Sequence, residues 1–181
     1  WGESVASAQQ LPHAWLIHGA EGIGKLAFAL HLARALLCQN TDAAHAACGH
    51  CNNCHWLDLG QHPDFRLLAP ALPSALELDE NADLASQMAS LPQRKGHIQV
   101  DQIRPLGQLT HLSAHAGGRR VVLLYTAEAL TPSAANALLK TLEEPPEGVY
   151  FILLSHHLAR VLPTIRSRCR LLPLPAPSHQ Q

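Results

Sequence analysis

Seven consecutive residues, Gly19-Ala20-Glu21-Gly22-Ile23-Gly24-Lys25, carry the types and spacing of a phosphate-binding loop, G-x-x-x-x-G-K. Glycines let backbone N–H groups converge on phosphate oxygens, the helix that follows offers its positive end, and the lysine reaches the terminal phosphates. The pattern continues with Ser or Thr, whose hydroxyl ligates magnesium; here the next residue is Leu26, which has no ligand to give. The loop can therefore cradle an anion while its metal site lacks one group. The alternative is a glycine-rich turn that binds nothing. Hydrolysis also needs an acid at the end of a later strand to hold the metal-bound water, and a second acid to polarise the attacking water. The apolar run Val121-Val122-Leu123-Leu124 ends instead in Tyr125-Thr126-Ala127. Glu128 comes three residues past the position of the first acid and is expected to point elsewhere.

The second chemical cluster is sulfur. Cys48, Cys51 and Cys54 are spaced C-x2-C-x2-C, with Cys38 upstream. Four thiolates with no open position describe structural zinc, not catalytic zinc. His45, His50 or His55 could replace one ligand, and an iron–sulfur cluster could use the same four. Cys169 lies far off among apolar residues and reads as core. No Ser/His/Asp set or paired carboxylates suggest another hydrolase.

These residues need a scaffold. Ala14 to His18 has the length of a buried strand, and Leu26 to Leu37 repeats apolar residues at helical spacing, giving strand, loop and helix in order. Further strands are expected at Asp64 to Leu68, Arg120 to Tyr125, Val149 to Leu154 and Cys169 to Leu172, with helices at Val100 to Leu112 and from Thr131-Pro132 to Pro145. Thr131 suits an N-cap, Pro132 the first turn, and Pro145-Pro146 stops the helix. Continuous apolar strands alternating with helices mean burial on both faces of a doubly wound, mostly parallel α/β sheet.

The 181 residues suffice for one domain and the start of another, and 47% hydrophobic content is globular. With 13 Lys+Arg against 14 Asp+Glu, a strongly basic nucleic-acid binder is disfavoured, although a zinc-stabilised nucleic-acid module stays a third reading. No apolar run reaches the roughly 18 residues that span a bilayer, and no membrane partner is expected. In a chain with no secretion signal, clustered cysteines favour a metal over disulfides. Trp1 in place of Met and the proline-rich end, Pro173 to Pro177, suggest the front part of a longer protein.

The stretch Ser133-Ala134-Ala135-Asn136-Ala137-Leu138-Leu139-Lys140-Thr141-Leu142-Glu143-Glu144-Pro145-Pro146 resembles a helix of the bacterial clamp-loader AAA+ subunits. Leu162-Pro163-Thr164-Ile165-Arg166-Ser167-Arg168-Cys169 resembles that family's Ser-Arg-Cys motif, and Cys38, Cys48, Cys51 and Cys54 its inserted zinc module. The resemblance runs from about Leu11 to Leu174. Leu26, Tyr125 and Thr126 depart from the ATP-hydrolysing gamma/tau type, which is the alternative, and match the subunit type that has lost hydrolysis.

The resemblance implies a P-loop NTPase fold of the AAA+, RecA-like class over residues 1–172, a zinc module at about 38–57 and a variable insertion at about 69–95. Residues 173–181 would start a lid domain, with lid and collar beyond. It implies Zn2+ on the four cysteines, and ATP or ADP, if bound at all, on Gly19, Gly22, Gly24 and Lys25. Arg168 would be an arginine finger acting in trans on a neighbouring subunit, with Arg166 the nearby alternative; the bland fate of such an arginine is a surface ion pair. Ser155, at the end of its strand, would hold the nucleotide-sensor position, or cap the strand if the site is empty. Implied partners are the gamma/tau and delta subunits, the sliding clamp and primed DNA. The implied setting is the DNA polymerase III replisome in the bacterial cytoplasm: a non-hydrolysing subunit of a DNA-directed DNA polymerase, a nucleotidyltransferase.

Overall fold

A computed structural model of the chain describes residues 11–41, 46–70, 84, 88, 89, 91, 95–110 and 118–176. His45, most of the expected insertion at 69–95 and residues 177–181 lie outside them. Among the described residues, five strands form one sheet: β1 (Ala14–His18), β2 (Phe65–Leu68), β3 (Arg120–Tyr125), β4 (Val149–Ser155) and β5 (Arg170–Pro173). Their order is β2-β3-β4-β1-β5 and every pairing is parallel. Parallel neighbours need crossovers, and helices α1 (Lys25–Leu37), α2 (Asn52–Asp58), α3 (Val100–Ile103), α4 (Pro132–Glu143) and α5 (Pro163–Arg166) lie within them.

Two apolar layers hold the sheet. Leu16, Val122, Leu124, Phe151 and Leu153 face Leu138 and Leu142 of α4, with Ile103 and Ile165. Trp15, Ile17, Val121, Leu123, Ile152 and Leu154 face Ala29, Ala33, Leu36 and Leu37 of α1. Alternate residues of one strand thus serve opposite layers, which explains why strands buried on both sides read as unbroken apolar runs. Leu84, Met88 and Leu91, from the expected insertion, are buried in the α1 layer.

Local chemistry sets the helix ends. The Thr131 hydroxyl accepts from the Ala134 N–H at 3.3 Å, and Pro132 occupies the first position of α4. The helix expected over Val100 to Leu112 is shorter: α3 ends at Ile103, and Arg104–Thr110 tightens into a 3-10 helix. Pro105 is the cause, because it has no N–H for the carbonyl four residues back. Leu112 lies outside the described residues.

At the end of the sheet remote from the phosphate loop, the Arg120 Nε–H donates to Asp64 Oδ1 at 3.1 Å, with side chains 6% and 0% exposed. Removing one member of such a buried pair strands the other charge. Asp64→Ala is expected to destabilise the fold by about 3–5 kcal/mol, read as a lower urea midpoint at unchanged slope. A variant within about 0.5 kcal/mol of wild type would show the pair to be dispensable.

Candidate functional site

Parallel register brings the chemistry to one edge. His18 pairs with Ser155, and Tyr125 with Leu154, so β1, β3 and β4 end side by side. The loop leaves β1 there. Gly22 (φ 80°) and Gly24 (φ 89°) adopt left-handed conformations that cost other residues energy. Gly24 is the N-cap of α1 and offers no side-chain cap to the helix's first N–H groups. Gly19 is required for another reason: a Cβ there would meet the Leu174 carbonyl oxygen at 2.5 Å. The Leu174 N–H bonds to the His18 carbonyl at 2.8 Å, so the chain just beyond β5 stays paired with the end of β1 where the loop begins.

Lys25 is 3% exposed. Its ammonium donates to the Gly19 carbonyl at 2.8 Å and to the Ala20 carbonyl. With three protons and two such partners, one donor is left for an anion. Burial lowers the Lys25 pKa, and the carboxylates of Glu128 and Glu21 work against that. Leu26 packs against the apolar layer, as a side chain with no hydroxyl should.

At the end of β3, where a hydrolytic acid would stand, the Tyr125 hydroxyl meets His156 Nε2 at 3.1 Å and the two rings meet edge to face. Burial raises the Tyr125 pKa, reinforced by Glu21 and Glu128. Burial likewise lowers that of His156, with Lys25 adding to the effect. Both side chains are therefore neutral near pH 7, and neither supplies an anionic metal ligand. Glu128 is the nearest carboxylate along the chain, and its hydrogen bonds go elsewhere. It lies in a 3-10 turn, Ala127–Ala129, and its Oε1 accepts the N–H of His156 at 2.8 Å and of His157 at 3.3 Å. Its charge reaches Lys25, but its hydrogen bonds secure the loop after β4. Ser155 is wholly buried and its hydroxyl has no partner, so it does not act as a strand-end cap. Nothing local in the sequence marks the Tyr125–His156 contact; only strand register brings the two together.

The four sulfurs of Cys38, Cys48, Cys51 and Cys54 lie within 4.8 Å of one another. Cys38 Sγ is 3.6 Å from Cys48 Sγ and 3.8 Å from Cys51 Sγ. A tetrahedron of sulfurs around zinc, with Zn–S of about 2.3 Å, has edges of about 3.8 Å, so the donor set fits the ion. Its electrostatics agree. Burial pushes the Cys54 thiol up to about 12, with Cys51 and Cys38 adding to it. Burial also works against ionisation of Cys51, but hydrogen bonds from Cys54, Gln39 and Cys48 outweigh it and bring that thiol down to about 6. One thiolate forms readily; several need a cation. Cys38 ends α1, its N–H bonding to the Arg34 carbonyl at 2.9 Å, and Cys51 is the N-cap of α2. Zinc held there would supply a cross-link between these helix ends and no reaction chemistry.

Arg168 follows α5. One guanidinium nitrogen donates to the Thr164 carbonyl at 3.0 Å and to the Ser167 hydroxyl at 3.3 Å; the other pairs with Glu143, the last residue of α4. Arg166 turns inward. Its Nε is buried without a partner, and its charge adds to the burial that lowers the His18 pKa. Cys169 packs against the core, and burial pushes its thiol up to about 12.

The sequence profile of the family described as "DNA polymerase III, delta subunit" matches residues 3–178. The chain is 44% identical to the DNA polymerase III subunit delta-prime of Pseudomonas aeruginosa over 177 residues, 97% of this chain and 47% of that protein. Against the subunit of the same name in Escherichia coli it is 39% identical over 168 residues, 93% of this chain and 44% of the other. The chain thus spans about half the length of these curated relatives. Its backbone superposes on the crystal structure of a DNA polymerase III gamma subunit-related protein from Thermotoga maritima with a TM-score of 0.58, at 19% identity and covering 92% of this chain and 43% of that one. The fold is that of the P-loop AAA+ proteins, and the chain belongs to the DNA polymerase III delta-prime family.

Proposed function

We propose that residues 1–172 form the nucleotide-hydrolase-like domain of a clamp-loader subunit that does not itself hydrolyse ATP. The observation that carries this is the Tyr125–His156 contact at the end of β3, where hydrolysis needs a metal-holding carboxylate. Leu26 supports it, by removing the hydroxyl ligand from the loop. The subunit would help a ring of gamma/tau and delta subunits load the sliding clamp onto primed DNA in the bacterial cytoplasm. Arg168 would serve as its finger on a neighbour's ATP, the four cysteines would hold a structural zinc, and residues 173–181 would lead into a lid.

Calorimetric titration with ATP and magnesium, run beside a steady-state hydrolysis assay, tests the reading. The expected result is no turnover. Nucleotide held without turnover would agree with the free third proton of Lys25 and leave the subunit a stator. Magnesium-dependent turnover would overturn the proposal and make the chain an ATPase of the gamma/tau type.

A further inference from the structure

Arg168 is engaged on its own subunit in two different ways. Its first nitrogen is held by neutral oxygens, the Thr164 carbonyl at 3.0 Å and the Ser167 hydroxyl at 3.3 Å. These fix the guanidinium without cancelling its charge. Its second nitrogen is paired with the Glu143 carboxylate, which does cancel it. The side chains are 33% and 48% exposed, so the pair lies where an adjoining protein could reach it.

Glu143 is held in place by the fold. It is the last residue of α4, and Pro145 prevents the helix from continuing. A carboxylate at this end of a helix meets the negative pole of the helix dipole, an unfavourable position that a nearby cation relieves. Arg168 is that cation, delivered by the turn after α5, where its N–H bonds to the Ile165 carbonyl at 3.1 Å. The ion pair thus has a reason to form when the subunit stands alone.

We propose that Glu143 is a positioning residue that parks the Arg168 guanidinium on its own subunit and competes for it with the phosphates of a neighbouring nucleotide. The inference rests on the reading of Arg168 as a finger in trans. Carboxylate and phosphate oxygens seek the same N–H donors and the same positive charge. While Glu143 holds the second nitrogen, an incoming phosphate meets a like charge beside the group that should receive it. When Glu143 lets go, the Thr164 and Ser167 contacts still aim the side chain. Exposed pairs are weak, so the exchange is easily reversed and its effect on rate is modest, about two- to five-fold.

The test uses the full-length subunit reassembled with its ATPase partners. Glu143→Gln keeps the side-chain shape and removes the charge. Steady-state ATP hydrolysis should rise about two- to five-fold through kcat. The gain should shrink as salt screens the competition. Glu143→Ala should move the rate the same way, while Glu143→Asp, which keeps the charge, should stay nearer wild type. The gain should vanish on an Arg168→Ala background, which a purely structural role for Glu143 would not produce. An unchanged or slower rate in both Glu143→Gln and Glu143→Ala, with Arg168→Ala still impaired, overturns the parking role and leaves the finger standing. If Arg168→Ala alone has no effect, the finger reading has failed and the parking role falls with it.

Discussion

Arg168→Ala in the full-length subunit, reassembled with its ATPase partners, is expected to slow hydrolysis at the neighbouring site by about 10³-fold or more, the usual contribution of an arginine finger. The size follows from what the guanidinium would do. It would bring a fixed positive charge to the transferred phosphoryl in a site that excludes water, where such charges count for far more than in solvent. A lysine is a point charge on a flexible stem and cannot reproduce the planar fork, so Arg168→Lys should recover little. The fold gives a clean control. The Arg168–Glu143 pair is half-exposed at the surface, and losing it should cost the subunit no more than about 1 kcal/mol. A large rate loss with a nearly unchanged melting curve therefore isolates the effect on the neighbour. An unchanged rate would return Arg168 to the role of a surface ion pair closing the ends of α4 and α5.

Chemistry written locally is legible in the amino-acid sequence. The loop from Gly19 to Lys25, the Thr131-Pro132 helix start and the cysteine spacing each depend on residues within a few positions of one another. The strands are legible because burial on both faces removes polar residues from them. Chemistry that depends on strand register is not. Tyr125 and His156 are 31 residues apart and meet only because β3 and β4 run parallel and end together. The partners of Glu128 are hidden for the same reason, since the His156 and His157 N–H groups belong to the next strand's loop. The absence of carboxylates directly after β3 is plain in the sequence, but not what stands in that position. Pro105 is plain in the sequence, yet the apolar spacing continues past it and masks its effect on the helix after Val100.

Loss of a zinc ion bound by the four cysteines is expected to weaken the chain alone substantially. The purified protein should carry one zinc per chain, and Cys54→Ser or exhaustive chelation should release it. Among its described residues, the cysteine segment has little core of its own. Leu57 is buried in the α1 layer, Asn53 donates to the Leu37 carbonyl at 2.7 Å, and Arg34 pairs with Asp58. These contacts join α2 to the end of α1, and Cys38 and Cys51 stand at the junction. Without the cation, burial keeps Cys38 and Cys54 protonated, and four thiols repay little of the cost of ordering the loop. In zinc-finger peptides the metal contributes about 10–16 kcal/mol of folding free energy. Here the sheet has its own core, so a smaller share, on the order of 3–5 kcal/mol, is expected, with a fall in melting temperature of roughly 10 °C for a domain of this size. Because zinc must displace the protons of Cys38 and Cys54, its hold should weaken as pH falls. The helix that starts at Lys25 ends at this site, so α1 should lose hydrogen-exchange protection from its Leu37 end first. A metal-free protein with an unchanged melting temperature would show that the sheet and α1 stand without the zinc module.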